Sequence, residues 1–242
     1  MTGSRAHLTR DGLRVRIVVQ QVRVAGKEYR VIRPAEPLKN GALYKNRPHY
    51  EMYVDRTDGR RIGTLWLLAA RSPHSLVYLP MRTTRAVPGI GDDGARPLDL
   101  VLAPRTAPIR PSRWKRVREQ LRAGGAAREV HTARMPERDL PGLDAHCPLP
   151  DDPKAAGTYV LRKDLYAETL LLTGGAAAFR EGAKEIFAVT KYGPPEAAGT
   201  RLYIPGACNY HVCRPVYDWD LDPRNCRDWE QLHVEFCPRW AR

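Results

Sequence analysis

No stretch of about 18 apolar residues occurs in this chain, the length a helix needs to cross a bilayer, so a membrane-spanning protein is not expected. The N-terminal stretch MTGSRAHLTRDGLRVR lacks the apolar centre and the small-residue cleavage site of a secretory signal. That predicts a cytoplasmic protein with reduced thiols and argues against disulfides. The glycines of Gly89-Ile90-Gly91-Asp92-Asp93-Gly94 have no GK[ST] ending and no helix directly after them, which excludes a phosphate-binding loop. Acids are scarce in one part only. Residues 1–140 hold 28 Lys+Arg against 13 Asp+Glu, and residues 141–242 hold 12 against 14, so balances of +15 and −2 make up the net +13. Such asymmetry points to an anionic partner, nucleic acid first. Arginine far outnumbers lysine, a bias that GC-rich coding partly accounts for.

The chemistry that is present concentrates in the tail. Cys208, Cys213, Cys226 and Cys237 are four of the five cysteines, and His211 and His233 lie among them. Thiolate and imidazole are the ligands zinc prefers, four to a closed tetrahedral site. Cys208 and Cys213 form one close pair, His233 and Cys237 a second, and a loop spans the interval. The expected quartet is Cys208, Cys213, His233 and Cys237, with Cys226 or His211 as substitutes. Thiols packed in a core compete with this reading.

Asp218, Asp220 and Asp222 occupy alternate positions, as the first ligands of a calcium loop do. The required glycine is replaced by Pro223 and the closing glutamate by Trp229, which excludes that loop. Magnesium held for phosphoryl chemistry is one alternative. A plain turn opened by Asp222-Pro223 is the other.

The pattern predicts an α+β protein in two parts. Residues 1–150 form a basic, β-rich part, barrel-like or a curled antiparallel sheet, ending in a proline-rich linker; residues 151–242 form a smaller α/β module carrying the Cys/His tail. Leu13, Val15, Ile17 and Val19 alternate, and the change of phase to Val22 and Val24 suggests a bulge. Ala25-Gly26-Lys27 turns the chain into a second strand. Residues 62–70, around Leu65-Trp66-Leu67-Leu68, read as a central strand after a turn at Asp58-Gly59. Ser112 caps a helix to about residue 122, with an apolar stripe of Trp114, Val117 and Leu121. Residues 165–172 read as a helix, residues 185–191 as a strand, and Gly193-Pro194-Pro195 as a turn.

Arg113, Lys115, Arg116, Arg118 and Arg122 crowd that first helix, which suits contact with a phosphate backbone. Tyr44, Tyr50, Tyr53 and Trp114 lie near cations and would stack on unpaired bases. The function expected is nucleic-acid binding without catalysis, DNA and RNA not being distinguished, with the tail a zinc-held module. The alternatives are a metal-dependent nuclease or transferase built on Asp218 and Asp220, and a subunit of a nucleoprotein or virion assembly that contacts other proteins.

Overall fold

The computed structural model describes residues 13–46, 48–87, 94–136, 139, 142, 157–199, 210–222 and 230–241. Among them, β1 (Arg14–Val24) and β2 (Lys27–Pro34) form a hairpin. Ala25 and Gly26 both have positive φ, the two-residue turn whose twist matches paired strands. β3 (Gly41–Asn46) and β4 (His49–Val54) form a second hairpin and lead into α1 (Arg56–Arg71). Then follow β5 (Ser75–Leu79), β6 (Arg96–Pro97), β7 (Asp99–Pro104), α2 (Pro111–Ala123) and β8 (Arg128–Arg134). Beyond residue 156 come β9 (Arg162–Tyr166), β10 (Thr169–Gly174), α3 (Ala176–Gly199), β11 (His211–Val216), β12 (Glu230–Phe236) and a 3-10 turn at Pro238–Ala241.

These strands make two open sheets, not a closed barrel. The larger has the order β8-β1-β2-β5-β7-β10-β9 and the smaller β11-β12-β4-β3-β6. Each sheet therefore draws strands from both sides of residue 150. The sheets meet where Tyr217 bridges to Arg162 and Lys163 N donates to Tyr217 O, and again where β6 runs into β7 and Leu98 N donates to Leu43 O.

Helices α1 and α3 lie between the sheets and share one apolar core with both. Leu13, Val15, Ile17 and Val19 face this layer, as their alternation predicts, and so do Met52 and Val54 of β4 and Leu232 and Val234 of β12. Val22 and Val24 belong instead to a second core on the opposite face, under α2. The register between β1 and β2 runs unbroken from Ile17↔Pro34 to Val24↔Lys27, so there is no bulge. The phase change in the sequence marks a change in which face is covered. A third cluster, with Ala42, Tyr44, Tyr53, Val87, Cys237 and Trp240, covers part of the smaller sheet's outer face.

The segment expected as a central strand is α1. Asp55 caps it, its carboxylate accepting from Asp58 N at 2.6 Å. Asp58 in turn is buried, accepts from Lys39 N and Asn40 N at 2.7 Å each, and pairs with Arg61. The run Leu65-Trp66-Leu67-Leu68 is continuously apolar because sheets and helix surround α1 on several sides. A run buried all round has no period to reveal whether it is strand or helix.

Residues 185–191 are not a strand either: they lie within α3, burying Ile186, Phe187, Val189 and Thr190 while Glu185, Ala188 and Lys191 stay partly exposed at helical spacing. Pro194 and Pro195 remove two backbone donors, yet the helix continues to Gly199. Gly193 lies directly on Phe236 of β12, and that packing holds the segment in place. Residues 165–172 are not a helix but the β9–β10 hairpin, turned by Ala167 and Glu168 at positive φ. Residues 128–134, within the expected linker, are the exposed edge strand β8.

α1 and α3 approach closely through glycine. A Cβ on Gly182 would overlap the Trp66 ring, and one on Gly63 would meet Phe187 at 3.0 Å. Gly182→Ala should therefore destabilise the protein by about 1–3 kcal/mol through overpacking, read from urea unfolding. Unchanged stability would contradict this close approach.

Candidate functional site

Two half-covered faces carry the chemistry, one on each sheet. On the smaller sheet, β12 pairs antiparallel with β11 and parallel with β4. Strand alternation sends Leu232, Val234 and Phe236 inward and His233 outward. Cys213 lies directly opposite His233 across the ladder, and His211 follows two residues away on the same face. On the other side of His233, β4 presents Glu51 directly opposite and His49 beside it.

The ligand atoms of His211, Cys213 and His233 all lie within 4.8 Å of one another, close enough to hold a metal ion. Cys213 Sγ is 3.5 Å from His233 Nδ1. The His211 and His233 rings stack with centroids 5.6 Å apart and planes 6° from parallel. His233 Nε2 lies 2.9 Å from Gln231 Oε1; in the tautomer that donates to this oxygen, the Nδ1 lone pair faces the thiol. Burial, followed by the neighbouring imidazoles of His49 and His211, holds the His233 pKa below its ordinary value, with Glu51 opposing. The neutral ring is the form that binds metals.

Of the expected quartet, then, Cys213 and His233 come together, and the substitute His211 joins them. Cys237 does not. It lies four residues further along extended chain, about 13 Å on, buried with Tyr44, Tyr53 and Trp240. Cys208 and Cys226 fall outside the described residues.

The aspartate run forms no second cluster among the described residues. Asp218 pairs with Lys163 at 2.7 Å, while Arg162 donates to the Asp218 and Leu221 carbonyls. A backbone bond from Leu221 N to Asp218 O closes a turn. Lys163 also reaches Glu230, which Lys45 contacts at 2.8 Å. Burial alone would raise the Glu230 pKa, but hydrogen bonds from the two lysines hold it below its ordinary value. This network ties β9 to β3 and β12.

On the larger sheet, α2 covers only part of the outer face. Its N-cap position is Arg110, with Pro111 opening the helix, and not Ser112. Trp114, Val117 and Leu121 form the buried stripe, and the Trp114 indole donates to Thr169 Oγ1 at 3.0 Å. Arg118 is buried too, bonded to the Ala167 carbonyl at 2.8 Å and paired with Asp99 at 3.4 Å. Arg113 donates to the Tyr29 hydroxyl at 3.3 Å. Lys115, Arg116 and Arg122 remain exposed. Tyr44, Tyr50, Tyr53 and Trp114 are all core residues, at most 5% exposed, so none offers a ring for base stacking.

Beyond α2 that face continues over β8, β1 and β2, where Arg14, Arg16, Arg128 and Arg134 are exposed, Arg33 is half-buried, and Val18 and Gln20 are buried. Cross-strand pairing places Arg14 opposite Arg134, Arg16 opposite Thr132, Val18 between Val130 and Arg33, and Gln20 opposite Arg128. Five arginines thus share one face of three adjacent strands, and none of the strand residues on that face is acidic. The Arg33 guanidinium lies below its ordinary pKa because of burial and then the nearby Arg128 charge. Sequence reasoning weighed the helix and passed over this face, since the arginines converge only through pairing between distant segments.

Arg118→Met should lower stability by roughly 2 kcal/mol or more, because Asp99 stays buried with a partner removed. Chemical denaturation checks this; a neutral effect would return Arg118 to the exposed set.

The chain matches no protein-family model, no curated protein and no solved structure, so a functional reading rests on this geometry.

Proposed function

We propose that the protein binds nucleic acid through the arginine face of β8, β1 and β2, extended by the exposed cations of α2, and carries zinc in its tail. The observation that carries this reading is the set Arg14, Arg16, Arg33, Arg128 and Arg134 on one sheet face, with no acidic residue among the strand positions of that face. Like charges directly opposite one another, as at Arg14 and Arg134, destabilise a sheet. A polyanion lying along the face relieves that repulsion and releases its own counterions. Among the described residues, Glu36 reaches Arg16 at 3.8 Å, with both side chains exposed, and that pair neutralises little.

The residues between the arginines are Val18, Val130, Thr132 and Gln20. None stacks on a base. Recognition is therefore of the phosphate backbone, with little sequence preference. No catalytic step is required of the protein in this reading, and its place is as a binding subunit.

Zinc is the ion that two imidazoles and one thiolate suit. With Zn–S about 2.3 Å and Zn–N about 2.05 Å at a tetrahedral angle, a shared ion sets sulfur and nitrogen about 3.5 Å apart. Cys213 and His233 stand at that separation. The ion would brace β11 against β12.

Fluorescence anisotropy with a short labelled duplex, repeated over a series of salt concentrations, tests the binding face. Replacing Arg14, Arg16, Arg128 and Arg134 together with alanine should weaken binding and reduce the slope of log K against log salt by about 3 to 4. An unchanged slope in a folded variant would refute the assignment.

A further inference from the structure

We infer that His49 is the fourth protein ligand of the tail's metal site, so that one zinc ion joins β4 to β11 and β12. The inference rests on the reading of His211, Cys213 and His233 as a zinc site. Three ligands from two neighbouring strands leave one corner of a tetrahedron to fill. His49 lies on the β4 side of His233, outside the three residues whose ligand atoms are all within 4.8 Å of one another, and its side chain must turn toward them to bind. Its ring centroid is 4.8 Å from that of His233, with the planes tilted by 41°. Its Nδ1 is buried and has no hydrogen-bond partner. A buried nitrogen without a partner costs free energy, and a metal bond would satisfy it.

Competing donors on the same face are already engaged. Glu51 accepts from the Tyr53 hydroxyl at 2.8 Å on one oxygen and from Asn46 Nδ2 at 3.2 Å on the other. Its contribution is a fixed negative charge opposite His233, which favours a bound cation and an orienting environment around the ligands. His49 opens β4, so a rotation of its side chain reorients the ring without disturbing the ladder from Tyr50 onward.

The consequence is architectural. β4 comes early in the chain, while β11 and β12 come at its end, and β12 pairs with β4 in parallel. A zinc bound by all three strands would clamp the returning tail onto the sheet. Sequence spacing gave no hint of this, because His49 stands alone in its own segment.

Zinc affinity measured by competition with a chromophoric chelator, together with cobalt(II) absorption spectra, tests the assignment on the full chain. Wild-type protein should take up one equivalent, with the intense visible bands of four-coordinate cobalt and a thiolate charge-transfer band. His49→Ala should lower zinc affinity at least about tenfold and weaken the visible bands, while the charge-transfer band persists. Cys213→Ala should remove that charge-transfer band. His49→Asp, which restores a ligand, should recover part of the affinity; if His49→Ala does not fold, the bands of His49→Gln are compared with those of His49→Asp.

Wild-type zinc binding with unchanged affinity and spectrum in His49→Ala would overturn the role of His49 and leave the three-residue site standing. Failure of the wild-type protein to bind zinc would overturn both.

Discussion

Both sheets bury one face against the same two helices, α1 and α3, and this shared layer is the constraint on which the remaining structure depends. A sheet with one apolar face must cover it, and here a single helix pair covers two. The pair must be thin enough for both sheets to reach it. Gly63 and Gly182 supply that thinness by letting the Phe187 and Trp66 rings sit where side chains would otherwise stand. Fully burying a side chain such as Leu65 or Phe179 contributes about 1.5–3 kcal/mol relative to exposure, and most of the large ones converge here. Because each sheet contains early and late strands, the layer is covered on both sides by strands from both halves of the chain.

The sheets' outer faces are where function has room. Neither is fully covered. α2 closes part of the larger sheet and leaves the arginine face of β8, β1 and β2; residues 81–87 and the terminal 3-10 turn close part of the smaller sheet and leave His49, His211, Cys213 and His233. Polar chemistry on an open sheet face is held by the regular alternation of strands, which fixes which side chains can meet. The two faces belong to opposite outer surfaces, since the helix layer separates the sheets. In the function proposed, the arginine face makes the contact with the polyanion and the His/Cys group braces the smaller sheet.

Legibility in the sequence followed local periodicity. The β1–β2 hairpin showed in the alternation of Leu13, Val15, Ile17 and Val19 and in the turn at Ala25-Gly26-Lys27. The stripe Trp114, Val117, Leu121 likewise showed α2. The part of α1 buried on every side did not show and was read as a strand for that reason, whereas residues 185–191 were read as a strand although their partly exposed positions, Glu185, Ala188 and Lys191, recur at helical spacing. The Cys213–His233 pair was legible from residue type, and His211 stood among the substitutes for it. Cys237 stands near His233 in sequence but is carried away by extended chain, whereas His49 is brought beside it by parallel pairing. Arg118 looked like one more surface cation and proved to be the buried partner of Asp99. Nothing in a one-dimensional charge count separates those two fates.

The central claim is that the arginine face of the larger sheet contacts nucleic acid. Photo-crosslinking to a nucleic acid bearing a reactive base or backbone group, with the attached peptides identified by mass spectrometry, tests it most directly. The account predicts crosslinks within Arg14–Val24 and Arg128–Arg134, with further attachment along the exposed side of Pro111–Ala123. Crosslinks confined to the smaller sheet and the tail, or none above background at low salt, would contradict it.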